Sequence, residues 1–129
     1  MVAAQTAAGR RAPAALNRHW LTERLESWGD RPALTWRDET WSFKRLCDGR
    51  DGWLGQFAQH GVEPGATVAV CGDYSPNLCA LLLAALANRN IVVPLASATA
   101  SRWARLLELA QAQFAVHFDS DDSWRLRIG

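Results

Sequence analysis

The sequence predicts an α/β fold of three layers, in which a mostly parallel sheet lies between flanking helices and a short hairpin stands N-terminal to the sheet. From Thr67 onward, apolar runs typical of strands alternate with helical segments. The connections between them are short, as in parallel strands joined by right-handed crossover helices. The 129 residues, 49% of them hydrophobic, suit one domain with its own core.

The chain before the sheet predicts a helix and a hairpin. Residues 16–28 indicate a surface helix, because three apolar residues follow i, i+4, i+7 spacing and a glycine comes next. Two short strands over 33–36 and 40–42 flank a polar turn at 37–39, which is typical of a hairpin.

A glycine-containing helix follows the hairpin. Ser42 can cap it, its apolar residues keep helical spacing, and Gly61 ends it. Gly49, Gly52 and Gly55 lie inside this helix, each costing about 1 kcal/mol relative to alanine. Two interpretations stay open: the glycines admit a neighbouring backbone at close range, or the helix depends on tertiary packing.

The predicted sheet begins with Thr67–Cys71, a continuous apolar run of the kind buried on both faces. Ser75 can cap the following apolar helix, with Pro76 at its first position. Residues 91–93 form a second apolar run, so we expect another buried strand that Pro94 closes.

The last third of the chain predicts one helix and two strands. Thr99 is placed to cap the helix, whose apolar residues share one face. Phe114–Phe118 is expected to be the third parallel strand. Residues 119–122 form an acidic turn, and 123–128 alternate like an edge strand.

Composition excludes several classes of protein. With Lys+Arg 14 against Asp+Glu 13 and a net charge of +1, the chain lacks the basic surface of a nucleic-acid-binding protein. The longest apolar run, residues 78–87, is too short to cross a membrane. Residues 1–16 lack the apolar core of a secretion signal, and we expect a mobile terminus there, followed by one folded unit over 17–129.

Cys47, Cys71 and Cys79 are odd in number and show no metal-binding spacing. The three histidines are equally scattered. We therefore predict neither a disulfide nor a metal site, but three reduced and mostly buried thiols in a cytoplasmic protein.

The turn over 72–77 is the best place for a ligand, because ligands of parallel sheets bind at the carboxyl ends of the strands. It has one glycine and matches neither a dinucleotide fingerprint nor a Walker A loop. The acidic turn over 119–122 lacks the glycine and glutamate of a calcium loop, so we expect a solvated turn. Asp73 ends a strand as in a receiver domain, but Lys44, the single lysine, is misplaced for that chemistry.

The residues alone thus give an α/β domain without a complete active site, but the order of its short motifs resembles one family. From Asp30 to about Phe118 the chain is similar to the N-terminal part of the adenylate-forming synthetases, which include acyl- and aryl-CoA ligases, adenylation domains of peptide synthetases and luciferases. The matching stretches, in order, are 31–34, the hairpin into 41–43 with Leu46, 61–65 leading into 68–70, 75–77, 82–86, 93–95, Thr99 and Ala112.

The resemblance implies the first α/β subdomain of a larger ligase, truncated here. Such an enzyme joins a carboxylic acid to ATP with Mg²⁺, releases pyrophosphate, and passes the acyl group to a thiol of CoA or a carrier protein. The family's nucleotide-binding loop, its ribose-binding aspartate and its catalytic lysine all lie beyond the matched region. The resemblance therefore assigns no catalytic, cofactor-binding or metal-binding residue to this chain, leaves the substrate-binding residues unknown, and implies inactivity in isolation.

Three hypotheses about the function follow. The first is an N-terminal part of such a ligase, whose partner is the remainder of the enzyme or, through exposed apolar surface, a second copy. The second is a stand-alone scaffolding module derived from that fold. The third is a small flavodoxin-like protein that binds its ligand at the turn over 72–77.

Overall fold

The computed structural model describes residues 20–128, which form four α-helices, a 3₁₀ segment and six strands. In chain order these are α1 (Trp20–Ser27), β1 (Pro32–Trp36), β2 (Glu39–Ser42), α2 (Phe43–His60), β3 (Thr67–Cys71), α3 (Pro76–Ala87), β4 (Ile91–Leu95), the 3₁₀ segment (Ser97–Arg102), α4 (Trp103–Ala110), β5 (Phe114–Phe118) and β6 (Trp124–Ile128). The predicted N-terminal segment over 1–16 lies outside the described residues, as do the first residues of the predicted 16–28 helix.

The main sheet has the strand order β4-β3-β5-β6. Strand β3 pairs in parallel with both β4 and β5, and β6 pairs antiparallel with β5. Strands β1 and β2 form a separate hairpin. These observations confirm the predicted mostly parallel sheet and the predicted hairpin.

Helices cover both faces of the sheet. Val68 and Val70 of β3 pack with the buried residues of α2 and α3, whereas Ala69 and Cys71 pack on the opposite side, next to α4. The chain moves from β3 outward to β4 and then back past β3 to β5. Because the two crossovers run in opposite directions, crossovers of the same hand place α3 and α4 on opposite faces. The three-layer prediction is confirmed.

Local signals set the ends of several elements. Arg37 and Asp38 both have positive φ, which is the backbone of the two-residue turns that suit the twist of a hairpin. The Ser42 side chain accepts a hydrogen bond from the Arg45 N–H at the start of α2, and Gly61 ends α2 in the left-handed conformation. Ser75 caps α3 in the same way through Leu78 N–H, as predicted.

Trp53 joins α2 to the sheet and to α3. Its ring lies 5.9 Å from Phe118 and 4.6 Å from Trp124, between ring centroids. Its Nε1 donates a 3.1 Å hydrogen bond to the carbonyl oxygen of Asn77. The side chain is 5% exposed, so this aromatic residue both fills the core and satisfies its polar atom.

Only one of the three glycines of α2 has a packing role. A Cβ at position 49 would lie 3.1 Å from the Ala80 Cβ of α3, whereas a Cβ at 52 or 55 would meet nothing within 4 Å. A close neighbour therefore exists at Gly49 alone, and it is the side chain of Ala80 rather than a backbone. Gly52 and Gly55 lie in a helix whose other residues provide the packing.

Two predictions in the second half of the chain were wrong. The strand expected to be buried and closed by Pro94 runs on to Leu95, and it is an edge strand with Ile91 58% exposed. Pro94 fits there because an edge strand has one unpaired side. Thr99 caps no helix: it lies within the 3₁₀ segment and donates to the carbonyl of Ala96, and α4 begins without a side-chain cap.

Over the part of the chain that the structure describes, no helix combines the length and apolar character needed to cross a membrane. The expected edge position of β6 is confirmed.

Candidate functional site

The carboxyl ends of the parallel strands form the most promising place for a ligand. After β3 the chain turns toward α3 on one face, and after β4 it turns toward α4 on the other. Loops that leave neighbouring strands toward opposite faces open a crevice, where ligands of such sheets bind. The predicted turn over 72–77 lies at this crevice.

A cleft of about 190 Å³ occupies this edge of the sheet. Four segments line it: the tip of the hairpin at 36–37, the loop at 73–75, Ser97 after β4, and residues 118–120 after β5. Its walls combine three aromatic rings with the guanidinium of Arg37 and two carboxylates, so the cleft has mixed charge.

Gly72 is fixed by packing against the neighbouring strand. Its φ is +141°, and a Cβ there would lie 3.0 Å from both the Cβ and the carbonyl oxygen of Phe118. The space that a phosphate-cradling glycine would leave open is therefore filled by β5. The single glycine of this turn serves the close approach of two strands, not the approach of a ligand.

The N-terminus of α3 is already occupied by a carboxylate of the chain itself. The Asn77 N–H donates a 3.2 Å hydrogen bond to Asp122 Oδ2, and the Asn77 side-chain amide donates to the Asp122 carbonyl oxygen, also at 3.2 Å. A helix N-terminus favours an anion, and Asp122 supplies one from 45 positions further along the chain. The acidic turn was expected to be merely solvated, but Asp122 ties it to α3.

Other polar groups of the crevice also hold loops together. The Ser97 N–H donates to Asp73 Oδ1 at 3.1 Å, which joins the loop after β3 to the loop after β4. The Arg37 guanidinium donates to the Ser120 carbonyl oxygen, which joins the hairpin to the turn before β6. Asp73 therefore has a structural partner here, and the single lysine is not among the residues that line this cleft.

The cysteine thiols are unsuited to nucleophilic chemistry. Burial raises the pKa of the Cys71 thiol to about 11, and burial likewise raises the pKa values of Cys47 and Cys79. All three are free; Cys47 and Cys71 are buried and Cys79 is half-buried, which agrees with the prediction that most of the thiols are buried. Within residues 20–128 no cluster of His, Cys, Asp or Glu could hold a metal ion.

Lys44 lies away from the crevice. Its ammonium forms an exposed ion pair with Asp48 one turn further along α2, at 3.3 Å. The single lysine is therefore on the exposed surface of a helix.

The crevice contains residues that the sequence did not single out. Arg37, Ser97 and Ser120 belong to three separate segments, and Arg37 and Ser120 are 83 positions apart. No local pattern relates them. Only the pairing of the sheet and the position of the hairpin bring them together.

We compared the chain with protein families and with individual proteins. The family model described as "AMP-binding enzyme" matches residues 21–127. Among individual curated proteins, no sequence matches this chain significantly.

Several solved structures share the fold. The N-terminal subdomain of Klebsiella oxytoca NpsA, in complex with 3-hydroxyanthranilyl-AMSN, is 20% identical and superposes with a TM-score of 0.69, covering 78% of this chain and 26% of that one. VinN in complex with 3-methylaspartate is 16% identical with a TM-score of 0.70, covering 81% and 31%. The four-domain nonribosomal peptide synthetase holo-AB3403, bound to AMP and glycine, is 24% identical with a TM-score of 0.66, covering 75% and 7%.

This chain thus spans about a quarter of the length of the NpsA subdomain and less than a third of VinN. Those likenesses concern the fold. The match of the family model extends over most of the chain, from the first described helix to the last strand, and the chain therefore belongs to the AMP-binding enzyme family.

Proposed function

We propose that this chain is the N-terminal part of an ATP-dependent acid–thiol ligase. The complete enzyme would adenylate a carboxylic acid, release pyrophosphate and transfer the acyl group to the thiol of CoA or of a carrier protein. The observation that carries this proposal is the family match over residues 21–127 in a chain that spans about a quarter of the NpsA subdomain.

Three features of the described residues support the proposal that they do not hold the nucleotide. The turn after β3 has its glycine packed against Phe118, and the Asn77 N–H at the N-terminus of α3 already donates to the Asp122 carboxylate. The lone lysine pairs with Asp48 outside the crevice. We therefore propose that ATP and Mg²⁺ are held by parts of the enzyme outside this chain, and that the chain alone is inactive.

In this proposal the chain contributes a rigid support on the acid-binding side of the enzyme. Its partner would be the remainder of the ligase, with self-association through exposed apolar surface as the alternative. The three free thiols suit a reducing compartment, which supports a cytoplasmic enzyme.

Pyrophosphate release tests the proposal. The isolated chain and the polypeptide encoded by the reading frame continued past Gly129 would each be incubated with ATP, Mg²⁺ and a panel of aliphatic, aromatic and amino acids. We expect release only from the longer polypeptide, and only with some of the acids.

Two outcomes would contradict the proposal. Acid-dependent release by the isolated chain would show that it holds ATP by itself. A reading frame that stops at Gly129, with no separate chain that restores activity, would favour the scaffolding module instead. A purified complete adenylation enzyme serves as the positive control for the assay.

A further inference from the structure

The two edges of the main sheet differ in how they are protected. Strand β4 ends the sheet on one side and contains Pro94, which has no N–H to donate. Strand β6 ends it on the other side and contains no proline. Among residues 20–128, no strand pairs with the outer edge of β6. Its backbone groups on that side are therefore available to an extended segment.

The side chains of β6 alternate between apolar and basic. Trp124, Leu126 and Ile128 stand opposite Phe118, Val116 and Phe114, which belong to the core on the α2–α3 side. The two arginines stand opposite His117 and Ala115 and thus face the α4 side.

The two arginines differ in whether they already form an ion pair within the chain. Arg125 is paired with Asp119 at 3.0 Å, whereas Arg127 forms no ion pair within the described chain.

The α4 side of the sheet is open next to β6. No residue of α4 is buried, although its apolar side chains pack toward the sheet. A cleft of about 240 Å³ lies between α4 and β6, with Leu107, Ala112 and Ala115 as its apolar part and Arg127 and Ile128 at the β6 side. Ile128, whose side chain belongs to the apolar row on the other face, is itself 69% exposed.

A second copy of the chain is a poor partner for this edge. If two β6 strands paired antiparallel about a two-fold axis with their helix layers on the same sides, residues separated by an even number of positions would face each other. Arg125 would then stand opposite Arg127 of the other copy, or one of the two arginines opposite itself. Like charges directly opposite each other destabilise a strand pair.

We propose that the outer edge of β6 pairs with an extended polypeptide segment in which acidic and apolar residues alternate. The acidic side chains would lie beside Arg125 and Arg127, and the apolar ones beside Trp124, Leu126 and Ile128. Backbone hydrogen bonds would supply much of the affinity, and the alternation would select the register, since a slip by one residue puts carboxylates against the apolar row. The proposal does not depend on the proposed function.

A peptide titration tests it. The probe is a short blocked peptide in which glutamate and valine alternate, and the matched control has lysine in place of each glutamate. Binding to the full chain would be followed by amide chemical shifts and hydrogen exchange at residues 124–128. We expect the glutamate peptide to protect the β6 amides from exchange and to bind at least about tenfold more tightly than the lysine peptide. Its binding should weaken at high salt, because salt screens the charge pairs.

Charge reversal provides the decisive comparison. R127E, which breaks no ion pair of the described chain, should weaken binding of the glutamate peptide. R125E/R127E should weaken that binding roughly tenfold and should make the lysine peptide the tighter ligand. R31E, ahead of the hairpin, is the matched control and should change neither affinity. If the double variant fails to fold, R127E alone still shows whether charge reversal weakens binding of the glutamate peptide.

The proposal is overturned if the glutamate peptide leaves the β6 amides unprotected or binds no better than the lysine peptide. It is also overturned if the chain alone forms a dimer in which the β6 amides are protected from exchange, because the edge would then belong to a second copy.

Discussion

Asp122 shows how a residue far along the chain can decide what a helix terminus does. Its carboxylate accepts the Asn77 N–H at the first turn of α3, where a free anion would otherwise be favoured. Its second oxygen, Oδ1, is buried without a hydrogen-bond partner. The charge of the turn before β6 is therefore used for joining this turn to α3. A ligand-binding role for 72–77, as in a flavodoxin-like protein, would require displacing it.

One histidine of the sheet opposes folding when it is protonated. His117 is half-buried on β5, with its ring 5.6 Å from that of Trp103 and its Nε2 atom buried without a partner. Burial lowers the pKa of His117 from its ordinary value of about 6.5, and nearby Arg127 and Arg125 lower it further, against a smaller opposite effect of Asp119.

We predict that the chain loses stability as the pH falls from about 7 to about 5. In this window the unfolded chain binds a proton at His117 more readily than the folded chain, so acid favours unfolding. His117→Asn should remove most of this slope, because asparagine does not titrate. Urea unfolding at a series of pH values measures it.

The carboxylates act at lower pH. Hydrogen bonds from Trp41 lower the pKa of Glu39, and hydrogen bonds from Ser123 lower that of Asp121, so their stabilising effects are lost only in stronger acid. A slope above pH 5 that survives in His117→Asn would contradict the assignment to this histidine.

At the scale of elements, the glycines of α2 provide a matched pair. Gly49→Ala should lower the free energy of unfolding by roughly 1 kcal/mol, because the new Cβ would lie 3.1 Å from Ala80 and overpacking outweighs the gain in helix propensity. Gly52→Ala, with nothing within 4 Å, should raise it by about 0.5–1 kcal/mol. Urea unfolding of both variants measures the difference, and a change of the same sign in both would refute the packing role of Gly49.

Most elements were predictable because their signals are local. Ser42 and Gly61 mark the ends of α2, and Ser75 with Pro76 marks the start of α3, all within a few residues of the boundary they set. Thr99 carried a similar local signal but lies inside a 3₁₀ segment. Its role depends on how the chain leaves β4, which the neighbouring residues do not determine.

Sheet order was not readable from the apolar runs. The run at 91–93 resembles that of β3, yet β4 lies at an edge and β3 at the centre. Which strand ends a sheet depends on pairing between distant segments. For the candidate site, the rule for parallel strands predicted the location of 72–77, but the reach of Arg37 to Ser120 and of Asp122 to Asn77 depends on tertiary structure.

At the scale of the whole molecule, two truncated chains test where the folded unit begins and ends. The sequence predicts that residues 1–16 are mobile, so removal of 2–16 should leave the midpoint of thermal unfolding unchanged. Removal of 119–129 takes away β6 and the Asp122 carboxylate together. Trp124 would no longer contact Trp53, and the first turn of α3 would lose an acceptor.

The expected cost of the second truncation is about 2–4 kcal/mol, the order for a partly buried tryptophan and leucine plus one helix-terminal hydrogen bond. In a chain of this size that lowers the unfolding midpoint by roughly 10 °C. Because β6 is an edge strand, β5 would become the new edge, and its apolar residues would be exposed on a strand without proline or arginine. We therefore expect the shortened chain to aggregate as well as to melt early, as measured by light scattering during thermal unfolding. A chain without β6 that stayed monomeric and equally stable would show that β6 is an appendage to this subdomain and not one of its structural strands.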